Sequence, residues 1–476
     1  MAYLSRRHML QGAAALGFGG STGLLGGLAR TAHAQNGPSD ASGYKALVCV
    51  FLKGGLDAAD AVLPLDAESH DALREVRQDV WNQYGVGSGE SSRDRENLLE
   101  LSTARDWGGR RFALPPEMAP LHSLYTQGRM AVLGNVGPLV EPTTRTTMDN
   151  GTATVPRRLF SHNDQQSTWM SGGLEGRRAG WGGDFAARTA PASGMGRTFA
   201  AVTAGAAESW LRGPGIQQYP ARRSGAVRLR FAEERFRLGG DADAARQVLR
   251  DHYASRGASS ANLLRRDLAA ANQRTQEDNA TFTQAIQNAP DVLSVFPDTG
   301  LGRQLATIAD TIAVRGQLGA SRQLFYAERG GFDTHDNQVG NLPRNLGDVA
   351  ESIAAFAAAM EEMGLSDRVT LFTMSDFGRT VVVNGAGTDH GWGGHHFVVG
   401  GAVRGGEIFG DLPPVDLGLQ TYTRSRGRLI PSTSVDQYAA SLGRWFGLEG
   451  DALRDALPNL GNFDDVPDLF GLGGTV

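Results

Sequence analysis

Lys45-Ala46-Leu47-Val48-Cys49-Val50-Phe51-Leu52-Lys53-Gly54-Gly55-Leu56-Asp57 is the stretch that decides the fold. Residues 46–52 are apolar without a break, and two glycines and an acid follow. A strand with one wet face alternates, whereas an unbroken apolar run marks a strand covered on both faces, as in a parallel sheet. Similar runs recur at Met130–Asn135, Gln323–Ala327, Arg368–Met374 and His396–Gly400, with helical periodicity between them at 304–318 and 345–363. This order predicts an α/β fold with a mostly parallel central sheet and helices on both faces. Residues 226–290 differ, being rich in Arg, Gln and Ala with no strand signal. They are expected to belong to a helical insertion at about 190–290 of an α/β domain covering 44–470. Ser434-Val435-Asp436-Gln437, ahead of the stripe Tyr438, Leu442, Trp445 and Phe446, has the form of a capping box opening a late helix.

Upstream of the first strand, Ser5-Arg6-Arg7-His8-Met9-Leu10 precedes a weakly hydrophobic Gly/Ala/Leu stretch and Ala32-His33-Ala34. Paired arginines, a modest apolar centre and an A-x-A site are the parts of a twin-arginine signal peptide, expected to occupy 1–34 with a linker at 35–43. The glycines at 12, 17, 19, 20, 23, 26 and 27 make a buried helix a poor alternative. The formal net charge of −5 becomes more negative once 1–34 is set aside, which argues against general nucleic-acid binding. No apolar run reaches the roughly 20 residues of a membrane span. Cys49 is the only cysteine, so no intramolecular disulfide forms, and it reads as a core residue.

Strand-end loops of an open parallel sheet share one edge, where ligands bind. Four glycine-containing loops are expected there: Lys53–Asp60, Gly330–Asp336, Ser375–Thr380 and Thr388–His396. Four of ten histidines fall within 335–396. Carboxylates and neutral imidazoles on sharply turning backbone are what a divalent cation needs. Asp57, Asp333, His335, Asp376 and His390 are the proposed metal ligands, in a mixture that favours zinc or manganese over calcium. Asp333-Thr334-His335 could equally be a turn cap, and Asp376 a helix cap paired with Arg379. His395 and His396 are candidates for supporting the ligands. Ser161, ahead of His162-Asn163-Asp164-Gln165-Gln166, stands where either a helix cap or a nucleophile would stand.

The first-strand GG-x-D, SHNDQQSTWMSG at 161–172, GGFDTHDNQ at 330–338, SDFGRT at 375–380, TDHGWGGHHFVVGG at 388–401, and the closing RWFG and PNLGNF together resemble the bacterial family named domain of unknown function 1501, over residues 44–465. The resemblance implies kinship with the alkaline phosphatase and sulfatase superfamily: an α/β core, one or two metal ions at the strand ends, and a hydroxyl nucleophile. Carried onto this chain, it makes Asp57 the first-strand ligand, Ser161 the nucleophile position with His162 beside it as the other candidate catalytic residue, Asp333 and His335 the middle pair, Asp376 the next aspartate and His390 the late histidine. The chain departs from the superfamily pattern at three places. His335 follows Asp333 by two residues rather than four, Phe377 replaces a histidine after Asp376, and Asp60 stands where an Asn is expected, leaving the first ligand open between Asp57 and Asp60. A second ion is thereby left without a nitrogen ligand. Cys49 lacks the C-x-P-x-R setting of a formylglycine sulfatase.

The expected function is an exported, metal-dependent hydrolase of phosphate or sulfate esters, periplasmic or secreted. Its expected partners are the twin-arginine translocase and signal peptidase during export, and a small-molecule or polymer ester as substrate. The alternative is a non-catalytic envelope binding or assembly protein that keeps the fold. An organic redox cofactor has little support, because no G-x-G-x-x-G follows a strand.

Overall fold

The computed structural model describes residues 43–85, 91–173, 178–191, 194–226 and 261–474, together with 244, 247, 248 and 251. The expected signal peptide at 1–34, and most of the linker after it, lie outside the described residues. Strand β1 (Lys45–Leu52) is buried from its second residue onward. Its side chains divide by parity between two cores. Ala46, Val48, Val50 and Leu52 join Leu305, Ile308 and Ile312 of helix Gly300–Ala313 and Leu346, Val349 and Ile353 of helix Gln338–Glu362. Leu47, Cys49 and Phe51 join Tyr438, Leu442 and Trp445 of helix Val435–Phe446 and Phe185 of helix Trp181–Thr189. Each large apolar side chain so enclosed contributes about 1.5–3 kcal/mol. Two covered faces are why the run does not alternate.

The other strands are β2 (Leu63–Pro64), β3 (Leu99–Glu100), β4 (Phe112–Leu114), β5 (Met130–Gly137), β6 (Ala201–Thr203), β7 (Tyr219–Arg222), β8 (Gly225–Ala226), β9 (Arg322–Arg329), β10 (Val369–Ser375), β11 (Arg379–Val383), β12 (Thr388–His390), β13 (Gly394–Val399), β14 (Ile408–Gly410) and β15 (Thr433–Ser434). The main sheet runs β14-β5-β13-β10-β1-β9-β6-β7-β8, with β15 also on β5. Strand β1 pairs in parallel with β9 and β10, and Leu52 lies opposite both Arg329 and Ser375. The loops after these three strands therefore leave the sheet side by side. Strand β13 is antiparallel to both neighbours, β10 and β5. Its start, not its end, lies at the edge where β10 finishes, and the loop before it reaches that edge for this reason.

The late helix opens as its sequence predicts: Ser434 Oγ accepts from Gln437 N, and Gln437 Oε1 accepts from Ser434 N. Within 190–290 the described residues include strands β6 to β8 of the main sheet as well as helix Leu263–Gln287. Sequence-level reading misses these strands because they are only two to four residues long. Among the described residues no helix is long and apolar enough to cross a membrane.

Candidate metal centre

The first loop can lie against the second only because residue 54 is glycine. Gly54 has φ +115°, and a Cβ there would stand 2.2 Å from the backbone nitrogen of Asp333. That contact sets the Asp333 loop beside the end of β1. On the other side, β11 and β12 form a two-stranded ribbon with Arg379 opposite His390. His162 begins helix His162–Ser171, which follows the long connection out of β5.

These elements bring His162, Asp333 and His390 together, with one potential ligand atom from each within 4.8 Å of the others. His335 joins them. Asp333 Oδ1 lies 3.2 Å from His335 Nε2 and 3.4 Å from His390 Nε2, and Asp333 Oδ2 lies 3.5 Å from His162 Nε2. His335 Nε2 and His390 Nε2 are 2.8 Å apart. Each ring is held at its other nitrogen: His162 Nδ1 by Asp376 Oδ2 at 2.5 Å, His390 Nδ1 by the Phe160 carbonyl at 2.7 Å, and His335 Nδ1 by Asp389 Oδ1 at 3.1 Å. An acceptor at Nδ1 fixes the proton there and leaves the Nε2 lone pair directed at the cluster, the arrangement that orients metal-binding imidazoles.

The cluster's charges are arranged to match. Burial raises the Asp333 pKa, but the Arg379 hydrogen bond and charge outweigh it and hold the carboxyl below the usual range. Arg379 donates through Nη1 to Asp333 Oδ1 at 3.0 Å and to the Gly54 carbonyl at 2.8 Å. The Asp376 hydrogen bond raises the pKa of His162, whereas burial lowers that of His390. One Asp376 oxygen, Oδ1, is buried and has no hydrogen-bond partner among the described residues. Two ligands about 2.0–2.2 Å from a tetrahedral ion stand about 3.3–3.6 Å apart, close to the spacings about Asp333, whereas His335 Nε2 and His390 Nε2, 2.8 Å apart, would have to separate to share one ion. Three imidazoles and one carboxylate suit zinc or manganese better than calcium.

The residues singled out from the sequence fall into three groups. Asp333, His335 and His390 lie together, and His162, expected as a catalytic residue, lies with them as a potential ligand. Asp376 reaches the cluster only through His162, and Arg379 pairs with Asp333 rather than with it.

Asp57 does not reach the cluster. It is fully buried and receives two hydrogen bonds from Arg77, at 2.8 and 2.9 Å, and one from Gln338 Nε2 at 2.7 Å. Asp60 is likewise engaged, by Arg93 Nε at 2.6 Å and the Tyr84 hydroxyl at 2.7 Å. A buried carboxylate neutralised by a guanidinium is satisfied without an ion. His395 and His396 are also removed from the cluster, since both lie inside β13 and are buried. His395 Nδ1 accepts from Asn135 N, and His396 packs against Trp169 and Tyr438. Ser161 occupies the N-cap position but makes no side-chain cap; its hydroxyl donates to Asp164 Oδ2 at 2.9 Å.

Several participants carry no signal of their own in the sequence. Phe160 contributes a carbonyl rather than a side chain, from a backbone with φ +72°. Asp389 holds His335 across 54 positions, and the only local sign of it is the neighbouring His390. Gln338 ties the buried Asp57 to the segments that carry His335 and His390, donating to Asp57 and accepting from Thr334 at 3.2 Å and Thr388 at 2.9 Å.

No curated protein matches the chain. Among solved structures, the PsFucS1 sulfatase from Pseudoalteromonas sp. aligns with TM-score 0.35 and 10% identity, covering 90% of this chain and 72% of that one. Ps i-CgsB in complex with k-i-k-neocarrahexaose aligns with TM-score 0.34 and 9% identity, covering 90% and 75%. The family model described as "Protein of unknown function (DUF1501)" matches residues 44–457, and the chain belongs to that family.

Proposed function

We propose that this protein is a divalent-metal-dependent hydrolase of phosphate or sulfate esters, exported by the twin-arginine translocase and cleaved by signal peptidase to act in the periplasm or outside the cell. The observation that carries the metal reading is the convergence of three Nε2 atoms on Asp333 while every Nδ1 is occupied by an oxygen. His162, Asp333 and His390, with His335, would hold the ion. A bound divalent cation supplies Lewis-acid polarisation of an ester oxygen. Arg379 keeps Asp333 ionised, and Asp376, Asp389 and the Phe160 carbonyl keep the imidazoles aimed. Ser161 is the proposed nucleophile. Its hydroxyl donates to buried Asp164 Oδ2, which would take the proton as Oγ bonds to phosphorus or sulfur and the ester's alcohol leaves; water would then release the phosphate or sulfate and restore the hydroxyl.

The pairing of Asp57 with Arg77 favours a second reading, a non-catalytic binding or assembly protein, because the first loop then offers no free ligand. Elemental analysis of protein purified without a nickel column, followed by generic phosphate- and sulfate-ester assays, decides between them. Near-stoichiometric zinc or manganese, lost in Asp333→Ala together with turnover, supports the hydrolase. Metal without turnover supports the binding protein. A wild type that carries no divalent ion and takes none up defeats the metal centre.

A further inference from the structure

The rim of the cluster is formed by two chain segments, Arg158 and Phe160 before the site helix and Arg426 and Arg428 in the turn 423–428, which also carries Arg424. The turn is not loose. Thr423 N donates to the Arg428 carbonyl at 2.9 Å, and Val381 N of β11 donates to the Gly427 carbonyl at 3.1 Å. The same strand pair carries His390, so the turn and the cluster are fixed to one ribbon. The two segments meet where the Arg428 guanidinium stacks over the Phe160 ring, 4.4 Å from its centroid. Three of the five described non-glycine residues at positive φ, Arg158, Phe160 and Arg426, lie on this rim, and such backbone concentrates at functional sites.

The rim arginines are not equally engaged. Arg158 pairs with Asp164, Arg424 with Asp149 and Arg426 with Asp389. Arg428 forms no ion pair among the described residues. Its Nε donates to the His390 carbonyl at 2.7 Å and its Nη1 to the Ser425 carbonyl at 3.3 Å, which leaves Nη2 open. A half-buried guanidinium that spends its donors on carbonyls keeps its full charge for a ligand. The charge at the cluster's centre is met separately by Arg379, which is bound to Asp333.

We infer that Arg428 binds an anionic group outside the reacting centre, so that the ligand is an oligoanion with more than one phosphate or sulfate group. Its assignment as substrate rests on the hydrolase reading; the anion site does not. The test titrates the full chain, metal-loaded and metal-stripped, with dextran sulfate, inorganic tripolyphosphate and neutral dextran. The wild type is expected to bind dextran sulfate, tripolyphosphate or both, about tenfold more weakly at 200 than at 50 mM salt, and not neutral dextran. Which of the two binds separates a sulfated from a phosphorylated source. Arg428→Gln should weaken binding about tenfold, and Arg428→Lys, which keeps the charge but not the planar guanidinium, should weaken it less. Binding that persists after metal removal supports the anion site even where the metal centre fails. Equal affinity for neutral dextran, no binding of either anion, or unchanged affinity in both variants overturns it.

Discussion

His162 Nδ1 stands 2.5 Å from Asp376 Oδ2, although the two residues are 214 positions apart. This contact joins the end of β10 to the first residue of the site helix and aims His162 Nε2 at Asp333. Asp376 thereby acts through an imidazole, and its effect on metal binding is expected to be partial. Asp376→Asn keeps the volume and one acceptor but removes the charge. It should lower metal affinity about 10–100-fold, measured by competition with a chromophoric chelator, whereas Asp333→Ala should bring binding to background. Equal losses in the two variants would make Asp376 a direct ligand.

Asp57 is expected to matter for stability rather than for metal. Asp57→Asn breaks the double hydrogen bond to buried Arg77 and leaves its charge without compensation, which should cost about 3–5 kcal/mol. Metal content per folded molecule should stay unchanged. A variant with wild-type denaturant midpoint and no metal would return Asp57 to the ligand set.

Ser161 separates packing from chemistry with little ambiguity, because its hydroxyl caps no backbone N–H. Ser161→Ala should cost less than the 1 kcal/mol or so of a lost cap, and should reduce ester hydrolysis by about 10³-fold or more if the hydroxyl attacks. Turnover within a few-fold of wild type would dismiss it as nucleophile.

The buried histidines of β13 predict a pH dependence. Burial pushes His395 from 6.5 down to about 4, and burial with the neighbouring His395 pushes His396 to about 3. In the unfolded chain both titrate near 6.5, so below that pH the unfolded state binds more protons. Stability from this pair is therefore fully present above about pH 7 and is lost as the pH falls from 6.5 toward 4, by up to about 1.4 kcal/mol per pH unit for each histidine. Urea midpoints at pH 7, 6 and 5 measure the slope. His396→Phe should reduce it by about half, and a variant with the wild-type slope would contradict the assignment.

The proposed twin-arginine export requires Arg6 and Arg7. Arg6→Lys with Arg7→Lys should leave folded precursor in the cytoplasm, seen by fractionation. Undiminished periplasmic yield would exclude the twin-arginine route.

The sequence was most informative where structure is local. The unbroken run 46–52 identified a strand covered on both faces, and the Ser434/Gln437 box opened a helix at the expected residue. Glycine followed by acid or imidazole after successive strands led to Asp333, His335 and His390. These features depend on neighbours a few positions away, and a strand end in a parallel sheet is at the ligand edge whatever the rest of the chain does.

Tertiary structure alone decided the remainder, because a carboxylate's role depends on the charge that lies opposite it. Asp57 and Asp333 look alike in sequence, each following a strand and glycines. Asp57 turns into the protein, where Arg77 of helix Ala67–Trp81 neutralises it, whereas Asp333 keeps a side chain 46% exposed among three imidazoles. Likewise His390 and His396 differ by six positions, yet one lies at the sheet edge and the other between Trp169 and Tyr438. The direction of β13, set by its pairing with β10 and β5, put the first at the site and the second in the core. Strand direction and ion pairing over hundreds of positions follow from which chain segments pack together, and local residue preferences do not encode that choice.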